Sequence, residues 1–135
     1  MSSSDTTRPT VLMIDDEPQF LRLMERALRE EFTVLAAEDA LDGYALLCQH
    51  KPDIVLLDVM MPMLDGWTLL RKIRSSQEFA KVRVLVVTGL GPDAARHEAT
   101  LLGVTKILHK PLVPSQLVTA VRDALAEPQP KPDDW

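Results

Sequence analysis

The chain has 135 residues, 46% hydrophobic and 26% charged, with a formal net charge of −5 at pH 7. That length suits one domain with a proper core, and no apolar run approaches the roughly 18 residues of a membrane helix, so neither a membrane span nor an anchor is expected. The acidic balance and the lack of a basic run argue against direct nucleic-acid binding, and Cys48, the single cysteine, rules out an internal disulfide framework or a cysteine metal cluster.

Residues 1–9 form a polar lead with no apolar segment, expected to be disordered and unlike a signal peptide, which points to the cytoplasm. Val11-Leu12-Met13-Ile14 reads as a buried first strand that stops at Asp15-Asp16-Glu17-Pro18, where carboxylates and a first-turn proline favour the start of a helix. Phe20, Leu23, Met24, Ala27 and Leu28 then recur at the spacing of a one-sided apolar stripe. Phe32 to Ala36 is a weaker second strand. Leu41, Tyr44, Ala45 and Cys48 mark the inner face of a second helix, with Cys48 expected as a small core residue and Gly43 weakening the helix only modestly.

The third strand, Ile54-Val55-Leu56-Leu57, is apolar throughout, as suits a strand covered on both faces, and it delivers Asp58 to its exposed end. Pro62, Asp65 and Gly66 make a loop before a helix carrying Trp67, Leu70 and Ile73. Val82 to Val87 forms a fourth strand ending at Thr88-Gly89, followed by a helix with a thin inner face of Ala95, Ala99 and Leu102, closed by Gly103 as a left-handed cap. The fifth strand, Val104 to Leu108, ends at His109-Lys110-Pro111, and a last helix turns Leu117, Val118, Val121 and Leu125 inward. Residues 10–126 therefore form one α/β domain, and 127–135 a proline-rich tail or linker stub. Alternating strands and helices imply a parallel sheet wound on both faces by right-handed crossovers.

Ligands of such sheets bind beyond the carboxyl ends of the strands, and here those ends bring Asp15, Asp16, Asp58, Thr88 and Lys110 to one edge. Three carboxylates repel unless a cation joins them, and a hard, oxygen-seeking ion such as Mg²⁺ is the natural candidate. Carboxylates serve as phosphoryl acceptors, and phosphoryl transfer relies on positioning and charge stabilisation. On this reading Asp58 attacks, the metal and Lys110 stabilise charge on the phosphoryl oxygens, and Thr88 hydrogen-bonds one of them.

These motifs, in order Ile14-Asp15-Asp16-Glu17, Leu57-Asp58-Val59-Met60-Met61-Pro62 with Asp65-Gly66, Val87-Thr88-Gly89 and Lys110-Pro111, resemble the receiver domain of bacterial two-component response regulators. The resemblance implies a flavodoxin-like (βα)5 fold of strand order 2-1-3-4-5 and phosphorylation of Asp58 by a histidine kinase or phosphotransfer protein. It implies Mg²⁺ ligation by Asp16, Asp58 and the backbone carbonyl of Met60, with Asp15 acting through a metal-bound water. It also implies a downstream partner at the face of helix four, strand five and helix five, including Arg96, Lys106 and Gln116, with a homodimer as a further option. Such a domain is not a turnover enzyme: it catalyses only its own phosphorylation and slow dephosphorylation. One departure is Ile107, where the family commonly has an aromatic residue that swings behind the threonine, so that coupling is expected to be altered. Met60 and Leu90, each two residues beyond Asp58 and Thr88, are expected to flank the path of hydrolytic water and lengthen the phosphoryl lifetime.

Taken singly, each feature has a plainer explanation: an acidic helix start, a solvated turn lysine, a threonine of high β-propensity. Their joint arrival at four strand ends reverses those odds. His109 reads as a partly exposed neighbour of the site, His50 and His97 as helix residues without function, and Met60, Met61 and Met63 as loop-lining residues, since thioether sulfur mismatches a hard-ion site. Gly89-Leu90-Gly91-Pro92-Asp93-Ala94 fits a dinucleotide fingerprint formally, but it follows the fourth strand and lacks the ribose-binding acid after the next one. An aspartate-nucleophile, Mg²⁺-dependent phosphohydrolase is a rival, although those resembling haloacid dehalogenases carry an acid two residues after the nucleophile, where this chain has Met60. A non-phosphorylated binding module of the same fold is the other.

Overall fold

In a computed structural model, which describes residues 8–60, 66–89 and 92–126, five strands alternate with five helices. They are β1 (Thr10–Ile14), α1 (Pro18–Leu28), β2 (Thr33–Ala37), α2 (Ala40–His50) and β3 (Ile54–Leu57), then α3 (Gly66–Ser75), β4 (Arg83–Thr88), α4 (Pro92–Leu101), β5 (Lys106–His109) and α5 (Pro114–Ala126). The strands form one sheet in the order β2-β1-β3-β4-β5, every neighbouring pair parallel.

Alternation along the strands divides the core into two layers. Leu12 and Ile14, Val55 and Leu57, and Val84 and Val86 face one side, against Leu47 of α2, Leu69, Leu70 and Ile73 of α3, and Ala99 of α4. Val11 and Met13, Ile54 and Leu56, and Leu85 and Val87 face the other, against Leu21, Met24 and Leu28 of α1 and Leu117 and Val121 of α5. β3 lies in the middle, and all four of its residues are buried. No described helix is long and apolar enough to cross a membrane.

Two helices are turned differently from the sequence expectation. In α2 the buried residues are Ala40, Gly43 and Leu47, while Leu41 is 79% exposed and Ala45 and Cys48 face solvent, so Cys48 is not a core residue. The cause is close approach: a β-carbon at Gly43 would lie 2.6 Å from Ile14 Cδ1, so the helix seats its glycine on β1 and rotates Cys48 outward. Tyr44, half-buried, still packs against the core. In α1 the inner stripe is Leu21, Met24 and Leu28, and Leu23 is exposed. β2 and β4 each run one residue further than expected, and β5 starts at Lys106 rather than Val104.

The thin inner face of α4 is as expected, with Ala95 and Ala99 fully buried and Gly103 at φ +63°. What secures the end of that helix is Arg74, near the end of α3. Its guanidinium donates to the carbonyls of Leu102 (2.7 Å) and Gly103 (3.1 Å) after α4, and to those of Val82 (2.7 Å), Ala80 (3.3 Å) and Phe79 (3.4 Å) before β4. One side chain thus serves helix-terminal and loop carbonyls together, of which Phe79 O also accepts from Val82 N–H (3.3 Å).

Candidate functional site

The site is assembled by strand ends that are themselves tied together. Beyond β1, the Asp15 N–H donates to Ala37 O (3.1 Å); beyond β3, Asp58 N–H donates to Ile14 O (2.9 Å); beyond β5, Lys110 N–H donates to Thr88 O (2.8 Å). The parallel register, with Ile14 opposite Leu57, Leu57 opposite Val86 and Thr88 opposite His109, carries these residues to the same edge.

Each of the two buried acids is held by the backbone two residues on: Asp15 Oδ1 accepts from Glu17 N–H and Asp58 Oδ1 from Met60 N–H, both at 2.9 Å. Their remaining oxygens face Lys110, whose Nζ lies 2.8 Å from Asp15 Oδ2 and 3.4 Å from Asp58 Oδ2. Glu17 Oε1 also accepts from Nζ, at 2.6 Å, and the ammonium stands 4.4 Å from the centre of the Phe20 ring, within cation–π range. The Lys110–Pro111 peptide is cis.

Burial pushes the carboxyls of Asp15 and Asp58 above the usual carboxylate range, against the lowering effect of the Lys110 contact and of the backbone N–H bonds. Burial alone would lower the Lys110 ammonium, but its hydrogen bonds to Asp15 and Glu17 and the charges of Asp15 and Asp58 raise it instead. Asp15, Asp16 and Asp58 each offer an oxygen, and these oxygens lie within 4.8 Å of one another. Two of those acids are buried, the donors are hard oxygens, and one ammonium cannot balance the carboxylates around it. The set therefore fits a divalent cation such as Mg²⁺.

Of the residues singled out in the sequence, Asp15, Asp16, Asp58 and Lys110 come together. Thr88 is fully buried at the end of β4, on the same edge. The Met60 side chain is 53% exposed. Met61, Pro62, Met63, Asp65, Leu90 and Gly91 lie outside the described residues, as do residues 1–7 and 127–135, and the expected water-shielding role of Leu90 falls among them. His109 is exposed on β5, and Ile107, partly buried, packs against the α2–α3–α4 core layer. Lys106 and Gln116 line an open groove of about 560 Å³ between β5 and α5, and Arg96 is exposed on α4. The sequence reading gave no site role to Glu17 or Phe20: Glu17 stood there in the Ile14-Asp15-Asp16-Glu17 motif and as part of an acidic helix start, and Phe20 as part of the inner stripe. Their signal was position, since both stand on the first turn after the acidic pair.

A doubly wound sheet of this order, with an acidic trio and a lysine at its carboxyl edge, is the arrangement of a receiver-type signalling domain. Residues 11–122 match the response regulator receiver domain family, and the chain belongs to that family. It is 32% identical over 126 residues to the response regulator Rre1 of Synechocystis sp., covering 92% of this chain and 54% of that protein. It is also 32% identical to the DNA-binding dual master transcriptional regulator RpaA of Synechocystis sp., covering 87% and 49%. The chain thus spans about half the length of these relatives. Among solved structures, a putative response regulator from Chloroflexus aurantiacus superposes with a TM-score of 0.82 at 27% identity, covering 90% of this chain and 100% of that one. The chemotaxis response regulator CheY4 of Vibrio cholerae shares the fold, with a TM-score of 0.81 at 23% identity over 87% and 98% of the two chains.

Proposed function

We propose that this receiver accepts a phosphoryl group on Asp58 from a histidine kinase or phosphotransfer protein and thereby changes which partner it binds. The observation that carries this reading is the approach of Lys110 Nζ to Asp15 and Asp58 together, at 2.8 and 3.4 Å, across strand ends far apart in sequence. Asp16, Asp58 and the Met60 carbonyl would hold Mg²⁺ directly, with Asp15 acting through water. When bound, the ion neutralises charge on the transferring phosphoryl group.

An Asp58 carboxylate oxygen forms a bond to the donor's phosphorus, the bond from phosphorus to the leaving group breaks, and the leaving group departs with that electron pair. Lys110 offers its N–H groups to the phosphoryl oxygens, and Thr88 hydrogen-bonds one of them once transfer is complete. The phosphoryl group then favours one arrangement of the segment after Thr88, and a partner that binds that arrangement better shifts the population towards it. The α4–β5–α5 face, with Arg96, Lys106 and Gln116, is the proposed docking surface, either for a downstream protein or for a second copy. A kinase donor places the protein in the cytoplasm, and its role is signalling rather than turnover.

Incubation with acetyl phosphate and Mg²⁺ tests the reading by intact mass and phosphate release together. A lasting gain of one phosphoryl group supports it. Sustained release without a modified protein indicates a phosphohydrolase, and no modification indicates a binding module.

A further inference from the structure

Among the described residues, the resting lysine is held chiefly by the wrong acid for phosphoryl transfer. The Lys110 ammonium has three N–H groups and three carboxylates around it, and the closest is Glu17 at 2.6 Å, while the acceptor Asp58 is the farthest at 3.4 Å. Phe20 adds a ring face at 4.4 Å on the same α1 turn. Lys110 is therefore drawn towards α1 and away from Asp58.

The side chain of Glu17 makes no hydrogen bond to the helix it begins. Glu17 occupies the N-cap position, but its side chain accepts no bond from the N–H groups of the first turn, and its own N–H donates to Asp15 Oδ1. Its carboxylate is spent on Lys110. The side chain is 61% exposed, whereas those of Lys110, Asp15 and Asp58 are 17%, 4% and 5% exposed, so Glu17 stands on the solvent side of the lysine. A donor coming from solvent meets that negative charge first, and finds the positive charge of Lys110 already matched.

We propose that Glu17 is a specificity-determining residue of this receiver: it holds Lys110 in the resting site and disfavours small, highly charged phosphoryl donors. This rests on Asp58 being the phosphoacceptor. When the phosphoryl group arrives, the Glu17 contact is the one that yields, because exposed ion pairs are weak and screened by salt. Lys110 then turns the freed N–H to the phosphoryl oxygens. A protein donor, which brings its own contacts, is less affected by the Glu17 charge than a free acyl phosphate.

The experiment measures phosphorylation rate against donor concentration, with Mg²⁺, for the wild type, Glu17→Gln and Glu17→Asp, using acetyl phosphate and the less charged phosphoramidate. Asp58→Asn serves as the blank, and circular dichroism confirms the fold of each variant. For Glu17→Gln, the half-saturating concentration of acetyl phosphate should fall about 3- to 10-fold with the limiting rate little changed. The gain should be smaller with phosphoramidate and shrink as salt is added, and Glu17→Asp, which keeps the charge, should stay near the wild type. An unchanged or slower Glu17→Gln, or equal gains for both donors at every salt concentration, overturns the proposal while leaving Asp58 as acceptor. A wild type that takes no phosphoryl group from either donor overturns the phosphoacceptor reading itself, and this proposal with it.

Discussion

The ammonium of Lys110 stands 3.4 Å from the carboxylate of Asp58, near enough to feel its charge and too far for a strong charge-assisted hydrogen bond. Burial therefore prevails over the lysine, and the Asp58 carboxyl is raised above its ordinary value of 3.8, with the Asp16 charge adding to the rise. Asp58 is thus left under-compensated, as the proposed phosphoacceptor would be until a cation or a phosphoryl group changes the balance.

A pH dependence of stability follows. A carboxyl raised in the fold binds its proton more tightly there than in the unfolded chain, so its contribution to stability is full below the ordinary value and is lost as pH rises through the folded one. In metal-free protein, Asp58→Asn should be more stable than the wild type near neutral pH, and acidification towards about pH 4 should close the gap. Added Mg²⁺ should raise the stability of the wild type and do less for the variant, because only a ligand that binds the native state stabilises it. Urea unfolding of both proteins across that range, with chelator and with Mg²⁺, measures all three effects; a wild type that gains stability on going from acid to neutral pH relative to Asp58→Asn would contradict the assignment.

Arg74 should be the most sensitive charged residue outside the site. Burial lowers its guanidinium from the usual value, and the five carbonyls it reaches have no other side-chain donor among the bonds described. Arg74→Ala should cost about 3 kcal/mol in chemical denaturation, since it strands several carbonyls at once. Arg74→Lys, with a compact ammonium in place of a planar fork, should recover only part of that. A loss below about 1 kcal/mol for the alanine variant would mean that water replaces the guanidinium freely.

Gly66 opens α3 against the backbone that leaves the site. A β-carbon there would lie 2.5 Å from Val59 Cα and 2.6 Å from Asp58 O, and neither backbone atom can swing aside as a side chain would. Gly66→Ala should therefore destabilise the domain by about 2–4 kcal/mol and also slow phosphorylation, because the helix can only retreat by moving the segment after Asp58. Denaturation and an acetyl phosphate time course on the same preparation check both, and a variant with wild-type values in both would show that α3 shifts independently of the site.

Much of this architecture is legible in the residues. The unbroken Ile54–Leu57 run reads as a central strand, and the placement of Asp15, Asp16, Asp58 and Lys110 directly after strands reads as convergence, because side chains at strand ends of a parallel sheet share an edge. The orientation of α2 is not legible in the same way. Hydrophobic periodicity favours Leu41 and Cys48 as inward residues, whereas the helix is set by how closely Gly43 can approach Ile14, a matter of backbone distance that periodicity does not encode. Arg74 leaves no pattern at all, since a half-buried cation that serves carbonyls looks in sequence like any exposed helix arginine. Glu17 was hidden by a good local explanation: an acid at a helix start is so common that its reach to Lys110, remote in sequence, emerges only when the strands are assembled.

The central claim, that Asp58 carries the phosphoryl group, is tested most directly by locating the modified residue. After incubation with acetyl phosphate and Mg²⁺, borohydride reduction of the acyl phosphate and peptide mass analysis should mark Asp58 alone, and Asp58→Asn should remain unmarked. A mark on Asp15 or Asp16, or an unmodified Asp58 in protein that has nonetheless released phosphate, would contradict the account.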